Sequence, residues 1–587
     1  MNKHKKNSVI PRSMRALPSL HGLVFSLLLI FCGESVLAAT PPRPNAGSLL
    51  NQTTPPTDEP TLPSSSIPAL LDEKAEEADV EGVKIKVSKF VIDDARLLPE
   101  ALLQAQLADL VGQELSLAGL RQAAARITKT YREHGYFLAR AYLPAQEITD
   151  GVVHIAVFEG KYDGVEAGDS PRLNRQHAQG ILDAHQVAEG QPIERSELER
   201  SLILMEQRSG APVQALLQPG ATVGTSHMVI EAPSGPLFSG QLGVDNYGNR
   251  YSGEERATAQ FSLNSPRGVG DRLSTWLMKS SDSDAVFAAY QTPVGYRGLT
   301  LGASYSKFNY GELCCEFKAL EEKGSAEVFG AQARYPLILS QRAIMNAGLS
   351  LERKRLRDTS AVGELDNKRA DVVSFSLDGV NSAMRGQNRY LATLSAGDLN
   401  LNQNPASASF DAATLNTSGD YLKLRAEFEH LHPFANGTKL DLRLSGQASD
   451  RNLDSSEEFI LGGSGGIRAY PEGEATGDEA LLMRLDWLIP VNFQQLPGSL
   501  MARLFFDAGT VWINRDTGNG LGYPGVPNNY GLTGAGFGFT WNLPKGFTAN
   551  LDAATMIGSN PGRAVNGDNA DGRDNRSRAW LGLGWAF

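Results

Sequence analysis

The chain has 587 residues, a charged fraction of 21% and a formal net charge of -11, with a mean hydropathy of -0.25. That length exceeds one ordinary domain, and the acidic balance provides no basic footprint, so nucleic acid is not an expected partner. The soluble-looking average does not exclude a membrane barrel, whose strands alternate lipid-facing and lumen-facing residues and so average out.

Met1 to Ala38 has the three parts of a secretory signal: Lys3, Lys5, Lys6, Arg12 and Arg15, the apolar run Leu23 to Phe31, then Val36-Leu37-Ala38 before Ala39. Its apolar core is too short to cross a hydrocarbon layer of about 30 Å. Residues 39–80 are rich in Pro, Thr and Ser and read as an extended linker. Ala46-Gly47-Ser48-Leu49-Leu50-Asn51-Gln52 interrupts that pattern, and whether this region holds a short plug segment stays open. Cys314 and Cys315, adjacent in sequence, make neither a disulfide framework nor a four-ligand metal site and are read as incidental.

Val83 to Val91 alternates, with Val83, Ile85 and Val87 against Lys84, Lys86 and Ser88, and predicts a strand. Two helical stretches follow. In the second, Leu120, Ala124, Ile127 and Tyr131 recur at helical spacing and share the face that packs on a sheet. Gly135 stops this helix, and strands are predicted at Leu138 to Leu143 and Val152 to Phe158. A second unit repeats the order, with helices over Asn174 to Ala184 and Ser196 to Gln207, a stop at Gly210, and strands near Val213 to Leu217 and His227 to Ala232. Two tandem α/β modules leave sheet edges that can accept an extended peptide; the plainer reading is that they are spacers.

From Pro236 onward the pattern is alternation broken by turns. Ala257, Ala259, Phe261 and Leu263 alternate with Thr258, Gln260, Ser262 and Asn264, and Leu422, Leu424, Ala426 and Phe428 with Lys423, Arg425, Glu427 and Glu429. A soluble sandwich alternates in the same way. The last strand favours a membrane barrel: Ala579, Leu581, Leu583, Trp585 and Phe587 share one face, and the terminal phenylalanine resembles an outer-membrane barrel's assembly signal. At about 22 residues per strand the region holds about sixteen strands, an even number as in antiparallel outer-membrane barrels.

Within that region lies Gly462-Gly463-Ser464-Gly465-Gly466-Ile467-Arg468-Ala469-Tyr470-Pro471-Glu472-Gly473, closing at Gly477-Asp478. Glycine lets a backbone pass close to other walls, so the loop 462–478 is expected to fold into the lumen and carry Arg468 there. Downstream, Leu500, Ala502, Leu504 and Phe506 take the lipid face, which turns Arg503 and Asp507 inward, and Gly534, Gly536 and Gly538 leave room on the next strand. A guanidinium in a crowded lumen needs a carboxylate, and a bidentate pair also fixes direction; the plainer reading is a structural tie within the wall. Gly462 to Gly466 also fits the esterase pattern G-x-S-x-G, but Pro471 and the nearby glycines oppose the helix that motif requires. No phosphate loop or zinc spacing occurs, and neither cofactor nor metal is expected.

These residues resemble the TpsB transporters of two-partner secretion, the ShlB/FhaC/HecB type, over most of the chain after the signal. Tyr131-x-x-x-Gly135-Tyr136, Leu143-Pro144-Ala145-Gln146 and Asp150-Gly151-Val152-Val153 are similar to the ShlB-type POTRA pattern, and Leu198-Glu199-Arg200, Leu217-Gln218-Pro219-Gly220 and Gly224-Thr225 to the close of a second one. Val244-Asp245-Asn246-Tyr247-Gly248-Asn249-Arg250 and Gly268-x-Gly270-Asp271 resemble the family's opening strands. Ile467-Arg468-Ala469-Tyr470 stands where the family carries Val-Arg-Gly-Tyr/Phe, with alanine in place of the usual glycine, and Phe505-x-Asp507-x-Gly509 matches its Phe-x-Asp-x-Gly strand.

The resemblance implies two POTRA domains, at 81–160 and 161–234, and a transmembrane antiparallel barrel at 235–587, with Asp507 as lumen partner of Arg468 beside Phe505 and Gly509. It implies no covalent chemistry, a place in a Gram-negative outer membrane with the POTRA domains in the periplasm, and export of a secreted TpsA-type exoprotein, a haemolysin or an adhesin. Outer-membrane lipid and the barrel assembly machinery, through Trp585 and Phe587, are the other implied partners. An assembly factor of the same superfamily and a passive porin are the alternatives.

Overall fold

The computed structural model describes residues 43–53, 55, 60–65, 84–492, 495–518, 526–564 and 566–587; the signal segment lies outside them. Sixteen antiparallel strands, from Phe238–Asp245 to Ser577–Ala586, close into a barrel. The alternation carries through. Leu422, Leu424, Leu581 and Leu583 stand on the outer wall, while Trp276, Met278, Phe308 and Leu356 are buried. Strand length varies from eight residues at Phe238–Asp245 to twenty-one at Gly363–Ala383. The seam is the shortest ladder, with five pairs from Gln241↔Ala586 to Asp245↔Gly582, against eighteen between Ala343–Ser360 and Gly363–Ala383. Phe587 extends the seam by exchanging two backbone hydrogen bonds of 3.0 Å with Gly240.

Each module is a three-stranded sheet covered by helices. In the first, Val152–Phe158 is central, parallel to Lys89–Asp93 and antiparallel to Arg140–Tyr142, with helices at Glu100–Ala105 and Leu117–Glu133. The predicted strand over 83–91 is divided. Ile85–Lys86 pairs with Glu114–Leu115, then Ser88 turns its N–H to the Gly151 carbonyl, because the chain changes partner at Val87. In the second module Thr225–Glu231 is central, parallel to Lys161–Glu166 and antiparallel to Gln214–Pro219. Lys161–Glu166 was not anticipated; Gly164 and the polar Lys161 and Asp163 hide its alternation. Its helices are Arg175–Ala184, capped by Asn174, and Arg195–Ser209, ended by Gly210 in the left-handed region at φ 72°.

Residues Ala46–Gln52, which interrupt the linker, form a helix (α1) closed by a capping box between Asn45 and Ser48. It lies within the barrel. Leu49 packs in a cluster with Trp276, Phe308 and Leu356, Ala46 donates its N–H to Asp358 Oδ1 at 2.8 Å, and Asn51 Nδ2 donates to the Glu458 carbonyl at 2.6 Å.

The second module is docked on the barrel's inner rim. Leu204 shares one apolar cluster with the barrel residues Leu339, Ile344 and Val380. Arg200 donates to the Pro336 carbonyl at 2.6 Å, and Asn174 donates its N–H to the Gly268 carbonyl at 2.9 Å. At this junction His177 is wedged between Arg208, which donates to its Nε2, and the ring of Tyr296, 5.1 Å away in a barrel turn. Burial first, and then the Arg208 charge, push His177 down to about 4. Protonation therefore favours the unfolded chain. The stability held in this contact is complete above the ordinary histidine value of about 6.5 and is lost as the pH falls toward the depressed one. Helix melting of the protein in micelles, followed by circular dichroism, is expected to shift to lower temperature between pH 7 and pH 5. The shift should be smaller in His177→Asn.

Candidate functional site

The long loop between strands Lys439–Ser449 and Glu479–Val491 turns back into the barrel. A two-pair ladder, Phe459↔Gly477 and Ile460↔Thr476, forms its stalk, and its tip places Ile467, Arg468, Ala469 and Tyr470 out of contact with solvent. The tip needs an unusual backbone: Gly463 has φ 115°, a region closed to other residues. Ala469 is not among the positive-φ residues, so the alanine found in place of the family's glycine imposes no backbone strain.

Arg468 is the centre. Its Nε and Nη2 bind Asp507 Oδ2 and Oδ1 at 2.9 and 2.7 Å, and its backbone N–H adds a third bond to Oδ2 at 3.0 Å. Nη1 and Nη2 reach Asp486 Oδ2 and Oδ1 at 3.2 and 2.5 Å. The guanidinium lies 3.5 Å from the centroid of the Phe505 ring, which adds a cation–π contact. Two carboxylates thus share one arginine. The Arg468 carbonyl accepts Trp580 Nε1 at 2.8 Å, tying the loop to the last strand.

The surrounding strands are shaped to this loop. Phe505 underlies the guanidinium, Asp507 binds it, and Gly509 leaves space for Leu461 of the stalk, whose Cδ1 would lie 2.5 Å from an added Cβ. On the next strand, a Cβ at Gly534 would meet that of Ala469 at 2.6 Å, one at Gly536 would meet the Phe505 ring at 2.5 Å, and one at Gly538 would collide with Arg503 and Asp552. Arg503 pairs with Asp552 at 2.8 Å and donates to Thr540 at 3.0 Å. Trp585 and Phe587 lie at the seam, their rings 5.0 Å apart. Cys314 and Cys315 are joined by a disulfide in another loop.

Two parts of this arrangement escaped the sequence reading, and a third stayed open as a possible plug segment. Asp486 alternates with Leu485 and Trp487 on strand Glu479–Val491, so the parity used for Asp507 would have turned it inward too. The descending arm of the loop is held by Glu457, which binds Lys354 and Lys423 at 2.6 Å each, and by Asp454, which binds Lys368 at 2.7 Å. The third is α1, whose cap residue Asn45 accepts from Ser455 of that arm at 2.9 Å.

Comparison with known proteins agrees with this architecture. The model of the haemolysin secretion/activation protein ShlB/FhaC/HecB matches residues 224–541, and that of the ShlB-type POTRA domain matches residues 85–160. The chain is 25% identical over 461 residues to the heme/hemopexin transporter protein HuxB of Haemophilus influenzae, covering 77% of this chain and 80% of that protein. It is 24% identical over 495 residues to the hemolysin transporter protein HpmB of Proteus mirabilis, covering 80% and 81%. The solved structure of CdiB from Escherichia coli superposes with a TM-score of 0.72 at 18% identity, over 89% of this chain and 94% of that one, a likeness of fold.

Breaking a buried ion pair by removing one partner costs about 3–5 kcal/mol, because a charge is left uncompensated. Asp507→Asn leaves Arg468 with Asp486 alone. Trypsin added to intact cells is expected to cut this variant at the loop while sparing the unaltered chain, as read by fragment mapping. Equal protection would show that Asp486 suffices.

Proposed function

From the premise that the chain belongs to the ShlB/FhaC/HecB family of haemolysin secretion/activation proteins, we propose that it exports a secreted polypeptide partner across the outer membrane. Its barrel lies in the Gram-negative outer membrane and its POTRA domains lie in the periplasm. The observation that carries the proposal is the occupied lumen: the locked loop and α1 both fill it. A passive solute pore has no use for two such elements, whereas a conduit for polypeptides must stay closed between passages.

The relatives named for heme/hemopexin and hemolysin transport support a large exoprotein of the TpsA type, a haemolysin or an adhesin, as the partner. It arrives unfolded, and the POTRA domains hold it by strand addition. The sheet edges Lys89–Asp93 and Arg140–Tyr142 in the first module and Gln214–Pro219 in the second suit that mode, whereas Lys161–Glu166 is already bridged to Pro192. Arg468, flanked by Ile467, Ala469 and Tyr470, keeps the loop in its transport-competent position through Asp507, with Phe505 and Gly509 shaping the seat. Trp585 and Phe587 serve barrel assembly. The reaction is transport, with no bond made or broken.

Deleting the gene and comparing proteins in the medium and on the surface by quantitative mass spectrometry is expected to show loss of one large exoprotein. The unaltered gene should restore it. Arg468→Ala should restore less than about a tenth while folding to a heat-modifiable barrel in normal amount. Broad loss of outer-membrane barrels would mark an assembly factor instead.

A further inference from the structure

Residues 60–65 of the N-terminal tract lie at the junction of the second module and the barrel, and they are gripped there. Glu206, in helix Arg195–Ser209, accepts the backbone N–H of Ser64 at Oε1 (3.0 Å) and that of Ser65 at Oε2 (2.8 Å). The Ser65 hydroxyl accepts the N–H of Val213 at 3.0 Å, and its carbonyl accepts Nε2 of Gln341 at 3.0 Å. Gln341 belongs to the barrel turn between strands Lys323–Leu339 and Ala343–Ser360. Leu62 packs on the apolar cluster shared by module and barrel. Three of these four hydrogen bonds go to main-chain atoms of the held segment. Such a grip reads an extended backbone, one small hydroxyl residue and an apolar residue three positions before it, and little else of the sequence.

Resting on the exporter reading above, we propose that this junction is an extended-peptide site, occupied at rest by the chain's own residues 62–65 and during transport by an extended, serine- or threonine-bearing segment of the exported polypeptide. The position of α1 makes the exchange consequential. A polypeptide passes the lumen only after α1 leaves it. Between Gln52, the end of α1, and Leu62, the first held residue, there are ten peptide steps, which reach at most about 36 Å. While residues 62–65 are held, α1 stays within that reach of the junction. When a competing peptide takes the site, the tether runs from Gln52 to Lys84, thirty-two steps, and its reach grows about threefold. Arrival of the exported chain at the mouth and withdrawal of α1 then become one exchange, because each frees what the other needs.

The test uses the full-length chain with Cys314→Ser and Cys315→Ser. With Ser65→Cys and Gln341→Cys added, oxidation closes a trap on the resident segment, its extent read by mobility before and after reduction. Export from cells is expected to fall at least tenfold in the trapped protein and to recover on reduction; export unchanged with the trap closed overturns the proposal. Failure of export already in the unaltered chain, with its partner present, would overturn the exporter reading instead. The second measurement uses the synthetic peptide Pro-Thr-Leu-Pro-Ser-Ser carrying a photoreactive leucine, offered in micelles to the chain with Ser64→Pro, which removes one resident donor. Capture next to Gln341 and Val213 is expected, with a tenfold higher peptide concentration required when Glu206→Gln is added. Capture that ignores Glu206→Gln, or no capture, overturns the peptide-site assignment.

Discussion

The structure depends on one charge held where water is scarce. A guanidinium taken into the barrel loses its hydration, a cost of several kcal/mol even after relaxation, and only well-placed carboxylates offset it. Asp507 meets it with both oxygens and takes the loop's backbone N–H as well, and Asp486 closes on the other edge. Apolar residues of similar volume would stabilise the barrel equally or better. What they would not supply is direction, because apolar packing tolerates sliding, whereas a planar fork against two carboxylates admits one arrangement. The tie therefore determines where the loop sits, more than how stable the wall is.

From that fixed point the rest of the lumen is arranged. The loop's stalk is set by Leu461 against Gly509, its descending arm by Lys354, Lys368 and Lys423 through Glu457 and Asp454, and the same arm then supplies Ser455 and Glu458 to α1. The helix is thus seated partly on the loop and partly on the wall at Asp358. A change in the position of the loop reaches the helix through hydrogen-bonded contacts three residues apart.

Much of this was legible before any coordinates. Alternation is local: the outward Leu500, Ala502, Leu504 and Phe506 force Asp507 inward with no knowledge of its neighbours, and a spacing of about 22 residues per strand led to the strand number. The glycine spacing disclosed the loop and the space left for it. What stayed hidden depends on partners remote in sequence. Lys354 and Glu457 are 103 positions apart, and nothing local in either announces the other. The helix α1 escaped because seven residues in a Pro-rich tract are too few to nucleate alone; its Asn45 and Ser48 cap and its burial of Leu49 count only once the barrel surrounds it. The break at Val87 follows from a change of strand partner, which a single alternating run cannot express.

The uneven strand lengths shape the rim. A twenty-one-residue strand rises about 3.3 Å per residue and, tilted by about 40°, stands roughly 50 Å high, well beyond an apolar belt of about 25 Å. The eight-residue strand Phe238–Asp245 at the seam stands only about 20 Å by the same reckoning. Gly363–Ala383 is the eighth strand of sixteen and faces the seam across the lumen. The barrel is therefore a cylinder cut obliquely, with a high back and a low front that falls short of the surrounding lipid. Lipids at the front must thin to meet it, and above the short strands there stand the loops 246–255 and 557–576, tied to each other by Arg573 on Glu254 and Arg250 on Asp571.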